Sequence, residues 1–333
     1  VSTIPTSGPD EERFDAVTIG ETMVAFVSRD DPRRYLAVAA GAESNVAAGM
    51  ARLGCRTQWV SRLGDDPLGR FVEDSISACG VAVEVVRDAT RPTGVMTVHA
   101  SGPERRTAYY RSESAARSLA REDLRRAGPA RWIHVTGVTA ALSASAAELV
   151  QAVVEGRVGG GARVAFDVNH RPALWADTNA AARLLLARAR SADIVFLGDD
   201  ESEALLGTAD AGTLASLILR RDEQELVLKR GAGPATVVTL QGETTEPALR
   251  AEVVEVTGAG DAFAAGYLAA TVFGWPTRAR LRLGHLMGSR AVGTLDHVPP
   301  PFPAAELAAL SPATLAARWE DIPIDDADRR RPS

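Results

Sequence analysis

Stretches of strand-like and helix-like hydrophobic periodicity alternate along almost the whole chain, and that alternation leaves few folds open. Short apolar, β-branched runs fall at 15–20, 56–61, 81–86, 132–136, 163–167, 193–197 and 225–229. Helical patterns occupy 43–53, 67–79, 144–155, 178–190, 211–221, 259–273 and 278–292. Asp66-Pro67 supplies an N-cap and a first-turn proline, and Gly80 a stop. Strands and helices in this order predict an α/β fold, a mostly parallel central sheet with helices on both faces. In such sheets ligands lie beyond the carboxyl ends of the strands. Residues 235–240 and the segment after Gln241-Gly242 read as an antiparallel hairpin added to the sheet. Two segments, 22–40 and 93–111, break the series. Each reads as a hairpin, and the two either pair into a small sheet over the strand ends or stand as unrelated edge hairpins. The expected organisation is a loose leader at 1–13, one α/β body at 14–318 carrying both inserted segments, and a polar tail at 319–333.

Composition narrows the function classes. The 333 residues are 46% hydrophobic and 24% charged, enough for a large packed core. A net charge of −6 without a basic stripe argues against nucleic acid as a partner. Two cysteines, Cys55 and Cys79, form no paired motif and fit reduced side chains in a cytoplasmic protein. The five histidines lack metal-ligand spacing, so no structural zinc is expected. The uncharged runs near 132–147 and 262–277 are too short and broken to span a bilayer, and residues 1–14 carry acids rather than a signal-peptide core.

Chemistry concentrates in Glu255-Val256-Thr257-Gly258-Ala259-Gly260-Asp261-Ala262-Phe263. Residues 251–256 alternate charged and β-branched side chains and read as a strand, while Phe263, Tyr267, Leu268 and Val272 follow at helical spacing. Gly258 to Gly260 is then a strand-to-helix turn. The first amides of a helix lack internal partners and the dipole makes that end positive, so glycines there let an anion approach closely. Asp261 falls in the first helical turn, beside the same anion. A phosphate cradle next to a carboxylate is what phosphoryl transfer to a hydroxyl requires. Two other readings stay open: a tight turn with a capping acid, or a dinucleotide fingerprint, with Phe263 in place of the third glycine and no βαβ half behind it.

Ala40-Gly41-Ala42-Glu43-Ser44-Asn45, opening a helix, and Gly258-Ala259-Gly260-Asp261 together resemble the paired signatures of the ribokinase-like (PfkB-type) carbohydrate kinases. Asp167-Val168-Asn169-His170-Arg171 and Leu228-Lys229-Arg230-Gly231 fall in the family's order, so the resemblance runs from about Phe14 to Leu310. Within the family the chain is most similar to the 2-keto-3-deoxygluconate kinases, through Tyr109-Tyr110-Arg111 and the run from Asp167 to Trp175. The resemblance implies a three-layer α/β/α fold with a small β-sheet lid. It also implies transfer of the ATP γ-phosphoryl to a sugar hydroxyl with Mg2+, and a homo-oligomer, a dimer through the lid.

By the same resemblance Asp261 is the catalytic base, and the backbone of Gly258, Ala259 and Gly260 is the anion hole. Glu21, Gly41, Asn45, Tyr109, Arg111, Arg171 and Asp296 match substrate-binding positions. Asn169, Lys229, Gly231 and His285 match the ATP side, and Glu201 matches a residue that holds hydrated magnesium. The chain departs from the pattern at several points. Gly198 replaces the asparagine that accompanies Glu201, and Ala40 replaces a glycine. Glu255 replaces an aspartate, which leaves a monovalent-cation site open, and His285 replaces an asparagine. Met96 stands where related keto-deoxygluconate kinases carry a tyrosine.

A planar guanidinium is a bidentate partner for a carboxylate, so Arg111 and Arg171 beside Tyr109 favour an acid sugar. The predicted reaction is phosphorylation of 2-keto-3-deoxygluconate to its 6-phosphate. The alternatives are a fructokinase- or ribokinase-type kinase of a neutral sugar and, more remotely, an NAD(P)-dependent oxidoreductase. Arg111 could instead pair with Glu113 on the surface, and Arg171 could brace a loop.

Overall fold

The computed structural model describes residues 13–28, 31, 33–101, 104–156 and 161–319. Most of the expected leader and tail and the tips of both inserted hairpins therefore lie outside the described residues. The strands are β1 (Phe14–Ile19), β2 (Met23–Ser28), β3 (Leu36–Ala40), β4 (Thr57–Gly64), β5 (Ala82–Asp88), β6 (Val95–Ser101), β7 (Glu104–Tyr110), β8 (Ala130–Thr136), β9 (Arg163–Asp167), β10 (Ile194–Gly198), β11 (Glu225–Lys229), β12 (Ala235–Thr239) and β13 (Gly242–Glu246). The helices are α1 (Ala42–Arg52), α2 (Pro67–Ser77), α3 (Gly137–Ala140), α4 (Ala144–Val154), α5 (Thr178–Ser191), α6 (Asp199–Leu206), α7 (Ala211–Ile218), α8 (Ala259–Val272), α9 (Thr277–Val292), α10 (Ala304–Ala309) and α11 (Pro312–Trp319).

Nine strands form the large sheet in the order β13-β12-β11-β10-β9-β8-β1-β4-β5. All neighbours from β5 to β11 pair in parallel, and β12 and β13 continue antiparallel at one edge. Alternate residues of each strand feed opposite layers. On β9, Val164 and Phe166 pack with α4, α5 and α7, whereas Ala165 faces the layer of α1, α8 and α9. Chain order departs from β1 in both directions, towards β4 and towards β8, so the carboxyl ends around β1 and β8 form a switch-point crevice.

The two inserted segments pair with each other. β3-β2-β6-β7 is a separate four-stranded sheet, with β2 and β6 parallel and the outer pairs antiparallel. This is the small second sheet expected of a ribokinase-like fold.

Two expectations need correction. Residues 251–256 are not a strand. They alternate as a strand would, but β13 already ends the sheet, and the amides of Val254 and Glu255 both donate to the Val292 carbonyl at the end of α9. Val253 and Val256 stay exposed. The glycine turn thus joins a loop, not a strand, to α8. Trp319, assigned from sequence to the polar tail, is buried, and its indole N–H donates to the Pro247 carbonyl at 2.9 Å.

α8 is the most deeply buried helix segment of the site layer, with every residue from Ala262 to Ala270 inside. Small residues let its neighbours approach: a Cβ on Gly49 of α1 would sit 2.6 Å from Ala265, and one on Gly266 2.5 Å from the Leu283 carbonyl of α9. Gly266→Ala is expected to destabilise the protein by about 1–3 kcal/mol through this backbone clash. Urea unfolding checks this, and an unchanged midpoint would show that α8 and α9 are not held so closely.

Candidate active site

One large cleft, about 1240 Å³, opens over the carboxyl ends of β1, β8, β9, β10 and β11, between them and the small sheet. Its floor is where the N-termini of α1 and α8 meet. Gly258 caps α8 with φ at 83°, a left-handed conformation that disfavours any side chain. A Cβ there would also run into the backbone carbonyl of His297. Ala262 N–H donates to Gly258 O as the first turn closes, and Ala259 N–H donates to Val256 O at 3.3 Å. The amides of Gly260 and Asp261 have no partner among the described residues. Of the expected Gly258–Ala259–Gly260 set the Ala259 amide is thus engaged by Val256, while Gly260, joined by Asp261, keeps its amide for an anion. A Cβ on Gly260 would lie 3.5 Å from Lys229 Nζ, so an ammonium stands beside the helix tip.

Asp261 faces the cleft from the first turn of α8. Asn45 Nδ2, one turn into α1, donates to its Oδ2 at 2.8 Å. Burial pushes the Asp261 carboxyl up to about 6; the Asn45 donor opposes this, Asp167 adds to it, and Arg171 and Lys229 oppose it. Gly41, the residue that caps α1, is held to glycine by its own neighbours. A Cβ there would strike the Glu21 carbonyl and the Thr22 side chain, so the glycine admits the protein's own backbone.

The residues expected on the nucleotide side line the same cleft: Asn169, Lys229, Gly231 and His285. Asn169 sits at φ 36°, unusual for a residue with a side chain, and its buried Oδ1 has no partner among the described residues. Lys229 Nζ lies 2.7 Å from Asp167 Oδ2. Burial works to lower the Lys229 pKa, but Asp167, Glu201 and Asp261 outweigh it and hold the ammonium above its ordinary value. His285 Nε2 is 3.0 Å from the Glu246 carbonyl, which makes it the protonated nitrogen, and the ring meets Phe263 edge-on. Burial lowers His285 to about 4, so the ring is neutral at ordinary pH. The loop that replaced the expected strand supplies a further wall of this half, including Leu249, Val253 and Val256.

Glu201 lines the cleft, but both its oxygens are engaged. Oε2 accepts from Gly198 N–H in closing the first turn of α6, and Oε1 lies 3.5 Å from Arg171 NH1. Burial, with the charge of Asp167, pushes its carboxyl above the usual range. Asp167 itself was quoted as part of a motif but given no role; its position at the end of β9, bonded to Lys229, marks it as part of the charge cluster.

Of the residues expected to meet the substrate, Glu21, Gly41, Asn45, Tyr109, Arg111 and Arg171 all line the cleft. Arg111 does not pair with Glu113. Its guanidinium forms an ion pair with the buried Glu21, which also accepts from Ser114 Oγ. The Arg111 guanidinium carbon lies 6.0 Å from the centre of the Tyr109 ring. Asp296 is the exception: it is exposed and does not line the cleft, where its buried neighbour His297 appears instead. The loop from Gly293 turns the two side chains apart, a detail that residue type alone does not reveal.

The geometry excludes the dinucleotide alternative, because that fingerprint needs a strand before the glycines and a βαβ unit around them. Here a loop precedes them, and α8 runs on into α9 rather than into a strand. Among the described residues no helix is long and apolar enough to cross a membrane.

Comparison with known proteins agrees with this geometry. The family model described as pfkB family carbohydrate kinase matches residues 13–300. The 2-dehydro-3-deoxygluconokinase of Bacillus subtilis (strain 168) is 33% identical over 306 residues, covering 86% of this chain and 93% of its own length. A fructokinase of Klebsiella pneumoniae is 32% identical over 255 residues, 75% of this chain and 82% of that protein. The crystal structure of a fructokinase with bound ATP from Xylella fastidiosa superposes with a TM-score of 0.78 at 26% identity, covering 91% of this chain and 98% of that one.

The Asp261 carboxyl is expected to titrate near pH 6 when followed by the carbonyl carbon resonances of labelled aspartates, with Asp261→Asn identifying the signal. Asn45→Ala removes a donor that favours the charged form, so the midpoint should move up. A midpoint near that of a free aspartate, or one indifferent to Asn45, contradicts the described burial and hydrogen bond.

Proposed function

As a member of the pfkB family of carbohydrate kinases the chain is an ATP-dependent sugar kinase, and we propose that its acceptor is the terminal hydroxyl of 2-dehydro-3-deoxygluconate, also called 2-keto-3-deoxygluconate. The observation that carries the chemistry is the juxtaposition of Asp261 with unpartnered amides at the tip of α8, with Asn45 bonded to the same carboxylate. The acid sugar is supported by the Bacillus relative and by Arg111 beside Tyr109 in the sugar half of the cleft.

In this reading Asp261 orients the hydroxyl and accepts its proton as the oxygen attacks. A carboxyl whose pKa lies near 6 is a stronger base than a free aspartate yet still ionised at neutral pH. The amides of Gly260 and Asp261, with Lys229 at the same tip, stabilise the transferring phosphoryl group. Asn45 holds the base in place and leaves its Oδ1, which has no partner among the described residues, for the sugar. The small sheet closes the cleft against water, which limits idle ATP hydrolysis.

Magnesium fits here as a cation carried on the nucleotide. Both Glu201 oxygens already have partners, and among the described residues no group of three His, Cys, Asp or Glu side chains could hold a metal ion. A single carboxylate suffices for an ion that takes its other ligands from phosphates and water. Glu201 is then the residue that would meet it, and the ion would supply neutralisation of the β- and γ-phosphate charge. The lid-mediated dimer also belongs to the proposal. Leu36 and Tyr110 of the small sheet, with Tyr35 just before β3, are exposed and suit a partner copy, and a monomer in solution would exclude it.

One observation favours a second reading, a kinase of a neutral sugar such as fructose. Arg111 already has a carboxylate partner in Glu21, so an acid substrate must share or displace it, whereas a polyol could bond to both. The fructokinase relatives make this concrete.

A coupled ADP-release assay over acid and neutral sugars separates the readings. 2-Dehydro-3-deoxygluconate should be preferred, and Arg111→Ala should lower kcat/KM for it by about 10- to 100-fold, the worth of one charged hydrogen bond. Preference for fructose with a harmless Arg111→Ala overturns the acid-sugar assignment. Asp261→Asn should bind both substrates and lose about 100- to 10,000-fold in kcat. Near-normal turnover in that variant removes Asp261 from its role.

A further inference from the structure

The inner face of the small sheet is apolar. Cross-strand register sets Met23 opposite Ala40, Ala25 opposite Met96, and Met96 opposite Tyr109. Directly paired residues, and residues two apart on one strand, project from the same face of a sheet. Met23, Ala25, Ala40 and Met96 accordingly belong to one buried apolar cluster with Val38 and Val98. Met23 and Met96 are only 6% and 4% exposed, yet both line the cleft beside Glu21, Tyr109 and Arg111. Neither thioether offers a useful hydrogen bond. The cation lining the cleft beside them, Arg111, is already engaged by Glu21.

This inference rests on the acid-sugar reading. With the terminal hydroxyl at Asp261 and the carboxylate at Tyr109–Arg111, the carbons next to the carboxylate end lie against the lid, where Met96 is the cross-strand neighbour of Tyr109. We propose that Met96, supported by Met23, is the specificity-determining residue of the sugar half, selecting substrates that present a methylene rather than a hydroxyl at carbon 3. A hydroxyl pressed against the two thioethers gives up its bonds to water and gains none, while a methylene gains dispersion contact. Apolar walls reject an added hydroxyl by at most about 100-fold, so the selection is real but bounded. The wall also gives a reason for Met96 that a carboxylate-binding role does not: a thioether reads the deoxy carbon, not the acid. Discrimination against neutral hexoses then comes partly from their 3-hydroxyl, and it does not need Arg111 to be free.

The test compares kcat/KM for 2-dehydro-3-deoxygluconate and 2-dehydrogluconate, which differ only in the 3-hydroxyl, in the wild type, Met96→Gln and Met96→Leu. The wild type should favour the deoxy acid by about 10- to 100-fold. Met96→Gln, nearly isosteric but with donors and an acceptor, should cut that ratio at least about fivefold by raising turnover of the 3-hydroxy acid. Met96→Leu should keep the ratio. Equal use of both acids by the wild type overturns the inference while leaving the acid-sugar reading intact, and so does a Met96→Gln variant that lowers both acids alike. Inactivity on both acids with turnover of fructose overturns the acid-sugar reading and the inference with it. The wild-type comparison stands whether or not a variant folds.

Discussion

The hydrogen bond from Asn45 to Asp261 joins two helix N-termini that lie 216 residues apart in sequence, and the cleft has its chemistry because they meet there. α1 brings Asn45 and α8 the amides of its first turn, which in the proposed reading face the sugar and the phosphate. Their approach depends on missing side chains: Gly49 against Ala265 where the helices cross, Gly41 against the Glu21–Thr22 backbone, and Gly258 against the His297 carbonyl. Each glycine is required by neighbouring protein atoms. The open space left for ligands is a consequence of how tightly the surrounding backbone is drawn in.

Around that junction the charges nearly balance. Lys229 pairs with Asp167, Arg171 stands near Glu201, and Arg111 pairs with Glu21. Removing such groups from water is costly unless they are partnered, which explains why the cations come with acids. Asp261 is the carboxylate whose main protein partner is a neutral amide, and its affinity for a proton rises accordingly. A fifth carboxyl lies beneath. Glu43 is fully buried, with Oε1 accepting from Thr136 N–H, Thr136 Oγ1 and Thr139 Oγ1, and burial pushes it up to about 7. It ties the start of α1 to the end of β8 and so steadies the helix that carries Asn45.

Much of this was legible in the sequence because periodicity reports burial. The alternating strands and helices, the two inserted hairpins taken singly and the glycine turn opening a buried helix all follow from patterns within a few residues. What escaped depends on partners far along the chain. Residues 251–256 carry a strand pattern but have no neighbouring strand to bond. Glu21 and Arg111 each looked like a sugar contact, and only the fold shows that they hold one another. Asp296 and His297 exchange places because a loop's direction is not written in residue type. The amide of Ala259, expected in the anion hole, turns back to Val256, a bond that residue type does not announce.

The central claim is that the tip of α8 receives the phosphoryl group while Asp261 faces the alcohol. A crystal structure with a non-hydrolysable ATP analogue and the sugar bound tests it most directly. The account predicts the terminal phosphate within hydrogen-bonding distance of the Gly260 and Asp261 amides, with an Asp261 oxygen against the acceptor hydroxyl. A phosphate bound away from that tip, or an Asp261 turned from the sugar, would contradict it.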